Sequence, residues 1–364
     1  MSENTARAHN FCSGPCTLPV SVLEQLSDQI VDYQGSGMSL LEMSHRSPEY
    51  DAVHHHTMDL LRQVCSVPED FDILLLQGGA SLQFAMVPMN LMVGGTAGYV
   101  VSGSWGKGAH KDASIVGDAY VAWDGSDENF TRMPSADEIE LRDGAKYIHT
   151  TSNETIGGIR MPELFGLDIP QVIDMSSDYL TREIPWDHYD LVYGGAQKNL
   201  GPAGLAVVFV RRSVLENAEG TRPKYLDFAT HAANDSLANT PPMFPIWTTG
   251  LMLEWIQANG GIPGMQALAA DRSAMVYGAI DASDGFYRSP VAAGDRSHTN
   301  MVWRIDGEGL EAEFLAGAEE RRLLNLKGHR SVGGIRASIY NGLPTESVEA
   351  LVSYMNEFAS AHAS

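Results

Sequence analysis

The amino-acid sequence predicts an α/β chain: a largely parallel sheet with helices on both faces, followed by a smaller α+β lobe. Three observations carry this reading. From about residue 17 to 260, short apolar runs alternate with helical or glycine-rich stretches of crossover length, which parallel strands require. After about residue 260 the pattern changes to a long amphipathic segment and an alternating one. A hydrophobic content of 44% and 36 glycines in 364 residues fit a globular chain with a substantial core, not a disordered or fibrous one.

In chain order, the predicted strands are Asp72–Gln77, Ala97–Val101, Lys146–His149, Gln171–Asp174, Leu191–Tyr193 and the β-branched run Leu205–Val210. Helices are expected over Pro48–Val64 and over Ala85–Met92, the second after a glycine-rich turn. Gly260-Gly261 and Pro263-Gly264 mark a boundary. Residues 16–260 are then the large domain, and residues 1–15 with 261–364 the small one. In the small domain, Met265–Ile280 reads as an amphipathic helix, Met301–Ile305 as an antiparallel strand, Ser331–Ile339 as another, and Thr345–Ala361 as a closing helix.

Composition narrows the partners. With 24 basic and 46 acidic residues the net charge is −22, which disfavours nucleic acid and acidic membrane surfaces. No apolar run approaches a membrane span, and Met1–His9 holds no apolar signal core. Cys12, Cys16 and Cys65 cannot form a paired framework and match no zinc or redox spacing, so reduced thiols and a cytoplasmic location are expected.

Between Asp190 and Val210 one lysine, Lys198, sits in a turn of small residues flanked by two apolar runs. Gly194, Gly195, Gly201, Pro202 and Gly204 disfavour a helix there. A lysine held away from solvent can lose its charge and attack an aldehyde, the setting of a pyridoxal-phosphate lysine. A surface lysine on a hairpin turn fits the local pattern equally.

Other parts follow other strands. Gly78-Gly79-Ala80-Ser81 opens a helix and aims free N–H groups at one point, as a phosphate needs, or as an ordinary N-cap does. Asp174 ends its strand, where a carboxylate could keep a pyridine nitrogen protonated or cap the next segment. Trp105 follows the strand ending at Val101 and could stack on a flat cofactor or fill a core. Thr155 could bond a ring hydroxyl or be a plain loop threonine. Taken together they supply a phosphate cradle, a stacking ring, a ring-nitrogen acid and a nucleophilic lysine, and the combination points to pyridoxal phosphate.

Arginine and histidine concentrate in two places of this acidic chain: His45-Arg46, and His329-Arg330 with Arg336. A guanidinium fork matches carboxylate or phosphate, so the clusters point to a small, multiply anionic substrate; solvated charge at strand ends is the plainer reading of any one arginine. His54-His55-His56 lies in a predicted helix, where consecutive side chains diverge, so no metal site is assigned.

With these residues in view, the chain resembles the phosphoserine aminotransferases, class V members of the fold-type-I pyridoxal-phosphate enzymes, nearly end to end. The resemblance rests on Asn10-Phe-Cys-Ser-Gly-Pro15, Glu42-Met-Ser-His-Arg46, Gly78-Gly79 with Gln83-Phe84, Asn153-Glu-Thr-Ile-Gly-Gly158, Gly195-Ala-Gln-Lys-Asn-Leu-Gly-Pro-Ala-Gly204, Asn239-Thr-Pro-Pro242 and Lys327 to Asn341. It implies a large domain with a mainly parallel seven-stranded sheet. It implies that Lys198 joins the cofactor aldehyde, Asp174 holds the ring nitrogen, Trp105 stacks and Thr155 contacts the ring oxygen. Ala80, Ser81 and Gln197 would bind the cofactor phosphate, while Asn239 and Thr240 would reach the neighbouring subunit's cofactor in a homodimer with shared sites. Arg336 would grip the substrate α-carboxylate. His45, Arg46, His329 and Arg330 would handle the substrate phosphate or the glutamate side chain, with Ser13 at the mouth. Two departures stand out: Ala80-Ser81-Leu82 replaces a further glycine and often a basic residue, leaving backbone donors intact, and Cys12 stands where many relatives have serine.

The implied reaction moves an amino group between L-glutamate and 3-phosphohydroxypyruvate, giving 2-oxoglutarate and O-phospho-L-serine, with Lys198 as general base and acid and ping-pong kinetics. A phosphorylated four-carbon keto acid of vitamin B6 synthesis is a related substrate. The rivals are an aminotransferase acting on alanine, glyoxylate or serine, which would leave the clustered cations unpaired, and a non-catalytic pyridoxal-phosphate carrier. No dinucleotide fingerprint supports a dehydrogenase.

Overall fold

The computed structural model describes residues 7–216, 218 and 220–362; residues 1–6 and 363–364, at the ends of the expected small domain, lie outside the described residues. A seven-stranded sheet has the order Phe71–Gln77, Leu205–Arg211, Leu191–Gly195, Gln171–Asp174, Ala145–Thr151, Thr96–Val101, Asp118–Asp124. Only Leu205–Arg211 runs antiparallel to its neighbours. The reason is the connection 196–204, which is too short for a crossover and returns the chain as a turn with Lys198 at its centre.

Side chains alternate between the two faces of this sheet. Ile73, Leu75, Ile173, Val192 and Phe209 pack on one face with Leu61, Ile246 and Leu253 from helices Pro48–Val64 and Met243–Ala258. Leu74, Leu76, Tyr99, Val172 and Val208 pack on the other with Phe84, Val87 and Ala113 from helices Gly79–Leu91 and Ser104–Val116.

Helix Pro48–Val64 has the expected bounds, because Ser47 caps the Tyr50 N–H and Pro48 occupies the first turn. Two elements escape the sequence pattern. Edge strand Asp118–Asp124 buries only one face. Helix Met243–Ala258 is apolar on all sides and carries no amphipathic stripe. Helix Gly79–Leu91 begins earlier than expected, since Gly78 at φ 90° turns the strand directly into it.

Helix Gly261–Asp281 also begins earlier than Met265 and spans two cores. Ile262 and Met265 pack in the sheet core, whereas Val276 and Ile280 pack in the C-terminal one. The C-terminal core joins helices Leu310–Glu320 and Thr345–His362 to an antiparallel sheet of Tyr287–Arg288, Asn300–Ile305 and Ile335–Ser338. Phe11 is buried there, and His9–Asn10 pairs with Leu323–Leu324. The strand expected over Ser331–Ile339 is shorter at its start, because the Val332 and Gly333 N–H groups turn back to the His329 carbonyl. Among the described residues no helix is long and apolar enough to cross a membrane.

Candidate active site

Five strands end on one edge of the sheet and each delivers part of a site there, as open α/β sheets do. Phe71–Gln77 leads into the helix carrying Ala80 and Ser81. Thr96–Val101 leads to Trp105, Ala145–Thr151 to Thr155, Gln171–Asp174 to Asp174 itself and Leu191–Gly195 to Lys198. Ala80, Ser81, Trp105, Asp174, Gln197 and Lys198 line one cavity, with Thr151, Asn153, Ser176 and Phe84 completing its wall.

Lys198 is buried, and its Nζ donates to Thr155 Oγ1 at 2.6 Å. The same Nζ lies 5.7 Å from the Trp105 ring centroid. Burial lowers the amine's pKa to about 8; nearby Arg336 adds to the drop while Asp174 and Glu154 oppose it. Asp174 is buried as well. Desolvation raises its pKa, opposed by Lys198 and by Ser176, whose N–H and Oγ donate to Asp174 Oδ1 at 2.8 and 2.6 Å.

Helix Gly79–Leu91 has no side-chain cap, so the N–H groups of Ala80 and Ser81 have no intrahelical acceptor. Trp105 Nε1 and Thr151 Oγ1 are buried on the cavity wall without a partner among the described residues. An aromatic wall, a buried acid, an amine of lowered basicity and a helix N-terminus thus converge on one space with polar atoms left to satisfy. Pyridoxal phosphate offers a complement to each: a ring, a ring nitrogen, an aldehyde and a phosphate.

Arg336 lies alongside. It is buried, its Nη2 donates to Ser13 Oγ at 2.7 Å and its Nη1 to the Thr155 carbonyl at 3.4 Å. Its Nε has no partner, and no carboxylate pairs with it among the described residues. Burial depresses its pKa. Arg336 faces a cleft of about 480 Å³ that also touches Ser104, Phe130, Gly157 and Gly328.

The structure therefore joins Lys198, Asp174, Ala80, Ser81, Trp105, Thr155, Gln197, Arg336 and Ser13 in one region. His329 and Arg330 sit on the turn after Gly328, beside the cleft, with His329 Nδ1 bonded to Ser331 Oγ at 2.7 Å. His45 and Arg46 precede helix Pro48–Val64 and line neither cavity; His45 Nε2 is buried without a partner among the described residues. Asn239 and Thr240 likewise stay outside the lysine cavity, where Gln77 Nε2 donates to the Thr240 carbonyl at 2.7 Å. Of the three consecutive histidines, His54 bonds Tyr50 and the Asp235 carbonyl, while His56 pairs with Glu254.

Sequence reasoning passed over Ser176, Thr151 and Glu154. A serine two residues after a strand-ending aspartate is the local signal for an Asx-type brace of the kind Ser176 makes. Glu154 is buried, and burial raises its pKa to about 7 against the opposing N–H groups of Gly106 and Trp105.

Comparison with known proteins places the chain in one family. The family described as Aminotransferase class-V matches residues 8–351. The phosphoserine aminotransferase of Geobacillus kaustophilus is 46% identical over 353 residues, covering 97% of this chain and 98% of that one. The solved phosphoserine aminotransferase of Bacillus circulans subsp. alkalophilus superposes with a TM-score of 0.96 at 44% identity, covering 98% and 99% of the two chains. The pyridoxal-phosphate-bound phosphoserine aminotransferase of Trichomonas vaginalis superposes with a TM-score of 0.92 at 34% identity, covering 96% and 100%.

Proposed function

Because the chain belongs to the class-V aminotransferases, and so is a pyridoxal-phosphate enzyme, we propose that it is a phosphoserine aminotransferase, moving the amino group between L-glutamate and 3-phosphohydroxypyruvate. The observation that carries the substrate class is Arg336, a buried guanidinium with an open Nε and no carboxylate of the protein beside it. A cation left so is costly unless an incoming anion completes it.

Pyridoxal phosphate, when bound, supplies an aldehyde that takes up amino groups and a ring that spreads negative charge. The chain's residues do the rest. Lys198 would hold the cofactor and, once released from it, would take the proton from the substrate Cα and deliver it to the cofactor carbon that had carried the aldehyde, its lowered basicity suiting both directions near neutral pH. Asp174, braced by Ser176, keeps the ring nitrogen protonated. Ala80, Ser81 and Gln197 would hold the cofactor phosphate, Trp105 would pack against the ring and Thr155 would bond its oxygen. Arg336, oriented by Ser13 and the Thr155 carbonyl, fixes the substrate α-carboxylate, which aims the Cα–H bond at Lys198. His329 and Arg330 hold the substrate's distal anion.

The enzyme works as a homodimer in this reading. His45, Arg46, Asn239 and Thr240 lie outside their own lysine cavity and serve the site of a second copy. The exposed apolar residues Val20, Leu23, Val31, Met38 and Leu41, which precede His45, supply a contact surface. Three free thiols and the strongly acidic composition suit a cytoplasmic enzyme that binds neither nucleic acid nor membrane.

The test is to supply glutamate with 3-phosphohydroxypyruvate, pyruvate or glyoxylate and measure 2-oxoglutarate. Preferred turnover of the phosphorylated keto acid is expected; preferred turnover of pyruvate or glyoxylate would overturn the assignment.

A further inference from the structure

Glu154 is a buried acid next to the site that the reaction as derived does not use. It is fully buried, on the short strand Asn153–Glu154 that pairs with Ile159–Arg160. Its Oε2 accepts from the Trp105 N–H at 2.9 Å and its Oε1 from the Gly106 N–H at 2.7 Å. Both donors belong to the first turn of helix Ser104–Val116, whose N-cap residue, Gly103, offers no side chain. The fit is close: a Cβ on Gly103 would stand 2.5 Å from Glu154 Cδ, and one on Gly106 would stand 2.6 Å from the Val100 carbonyl oxygen and 3.4 Å from Glu154 Oε1.

The next residue, Thr155, accepts from Lys198. Asn153, on the other side, donates to Ser177 and Asn300 at 2.8 Å each, which anchors the strand. Adjacent residues of one anchored segment, Glu154 at the end of the strand and Thr155 in the turn after it, therefore hold the turn that carries the indole and the lysine. We propose that Glu154 is a positioning residue for the cofactor: its carboxylate clamps the Trp105 and Gly106 N–H groups and so sets the Trp105 ring at a fixed height over the cavity relative to Lys198. This rests on the reading of Trp105 as the ring-stacking residue. A carboxylate at a helix N-terminus is favourable in itself. Here it also ties together two parts of the site that are far apart in the chain.

The test uses the holoenzyme and a double-mutant cycle over E154A, E154Q, W105L and the E154A/W105L pair. The readouts are the dissociation constant of pyridoxal phosphate and the visible circular dichroism of the bound cofactor, which reports the asymmetry of its ring contacts. E154A should weaken cofactor binding by about ten-fold, the order expected for losing one well-placed ring contact, and reduce the dichroic band. E154Q should fall between, because its amide oxygen accepts one N–H while its NH2 faces the other. In the W105L background E154A should add nothing further. Equal effects of E154A with and without Trp105 would overturn the proposal, as would an E154Q enzyme with wild-type affinity and dichroism. If E154A fails to fold, E154Q compared with and without Trp105 gives the same decision. A W105L enzyme with wild-type affinity and dichroism would overturn the stacking assignment itself, and the proposal with it.

Discussion

Lys198 Nζ donates to Thr155 Oγ1 at 2.6 Å, and this contact ties the turn 196–204 to the loop after strand Ala145–Thr151. The same threonine's carbonyl accepts from Arg336 Nη1. One residue thus touches both the buried amine and the buried guanidinium to which the proposed reaction gives its proton transfer and its substrate contact. Replacing Thr155 with valine keeps the shape and removes the acceptor for a buried amine. The cost should be about ten-fold in kcat, the size of a lost hydrogen bond to a charged group, with Thr155→Ser restoring most of it. Steady-state kinetics of the two variants check this; a valine variant at wild-type rate would show that the contact is incidental.

The lowered pKa of Lys198 has a direct consequence for cofactor uptake. The neutral amine attacks the aldehyde, so protonation inhibits. With the pKa near 8, in place of the ordinary 10.5, the rate at which apoenzyme takes up pyridoxal phosphate should climb about ten-fold per pH unit below 8 and flatten above it. Stopped-flow absorbance across pH 6–10 reads this directly. A rate still climbing steeply above pH 9 would mean that burial does not tune the lysine.

Arg336 should act on binding more than on the proton transfer. Arg336→Ala removes one partner of a buried charge pair, which costs about 2 kcal/mol or more. KM for glutamate and for phosphoserine should both rise by about 30-fold or more, since both present an α-carboxylate. Arg336→Lys should recover only part, because an ammonium cannot replace the planar fork that also reaches Ser13. Kinetics with both amino acids decide it: a rise confined to phosphoserine would place Arg336 on the phosphate instead.

Behind the site, fully buried Asp178 sits between Arg160 and Arg182, accepting from each at 3.2 Å. Burial alone would raise its pKa, but the two guanidinium groups and Thr181 hold it below the ordinary 3.8. A carboxylate with a depressed pKa stabilises the fold fully above its unfolded value, and that contribution is lost as pH falls through the folded one. Asp178→Asn leaves two buried arginines facing each other and should destabilise the apoenzyme by about 3–5 kcal/mol at neutral pH. The deficit should narrow below pH 3.8. Thermal or urea unfolding at pH 7 and in acid measures both, and an unchanged neutral-pH midpoint would refute the role.

How much of this was legible in the sequence depends on how locally each signal is encoded. The run Leu205–Val210 and the Ser47-Pro48 start carry their own structure, and both elements form close to where expected. Lys198, Asp174 and Trp105 were legible because each follows a recognisable strand. Strand Asp118–Asp124 was not picked out although Ala119–Trp123 is an unbroken apolar run: only Tyr120 and Ala122 are buried, and the run shows none of the polar alternation that marks an edge strand. The expected strand at Ser331 lost its first residues to a turn closed on His329, signalled in the sequence only by Gly333-Gly334, both at positive φ. Glu154 was illegible for another reason: it reads as one polar residue between Asn153 and Thr155, and its partners at Trp105 and Gly106 come near only when the sheet forms. His45 and Arg46 were legible as a cluster of charge, but their place outside both cavities was not.

The central claim is that Lys198, Asp174 and Arg336 form a site matched to phosphoserine and glutamate. It is tested most directly by the half-reaction. Purified holoenzyme is mixed, without keto acid, with phosphoserine, glutamate, alanine or serine in turn, and the visible absorption of the cofactor is followed. Phosphoserine and glutamate should discharge the aldehyde-derived band, with alanine and serine leaving it nearly unchanged at the same concentration. Discharge by alanine or serine while phosphoserine leaves the band intact would contradict the account.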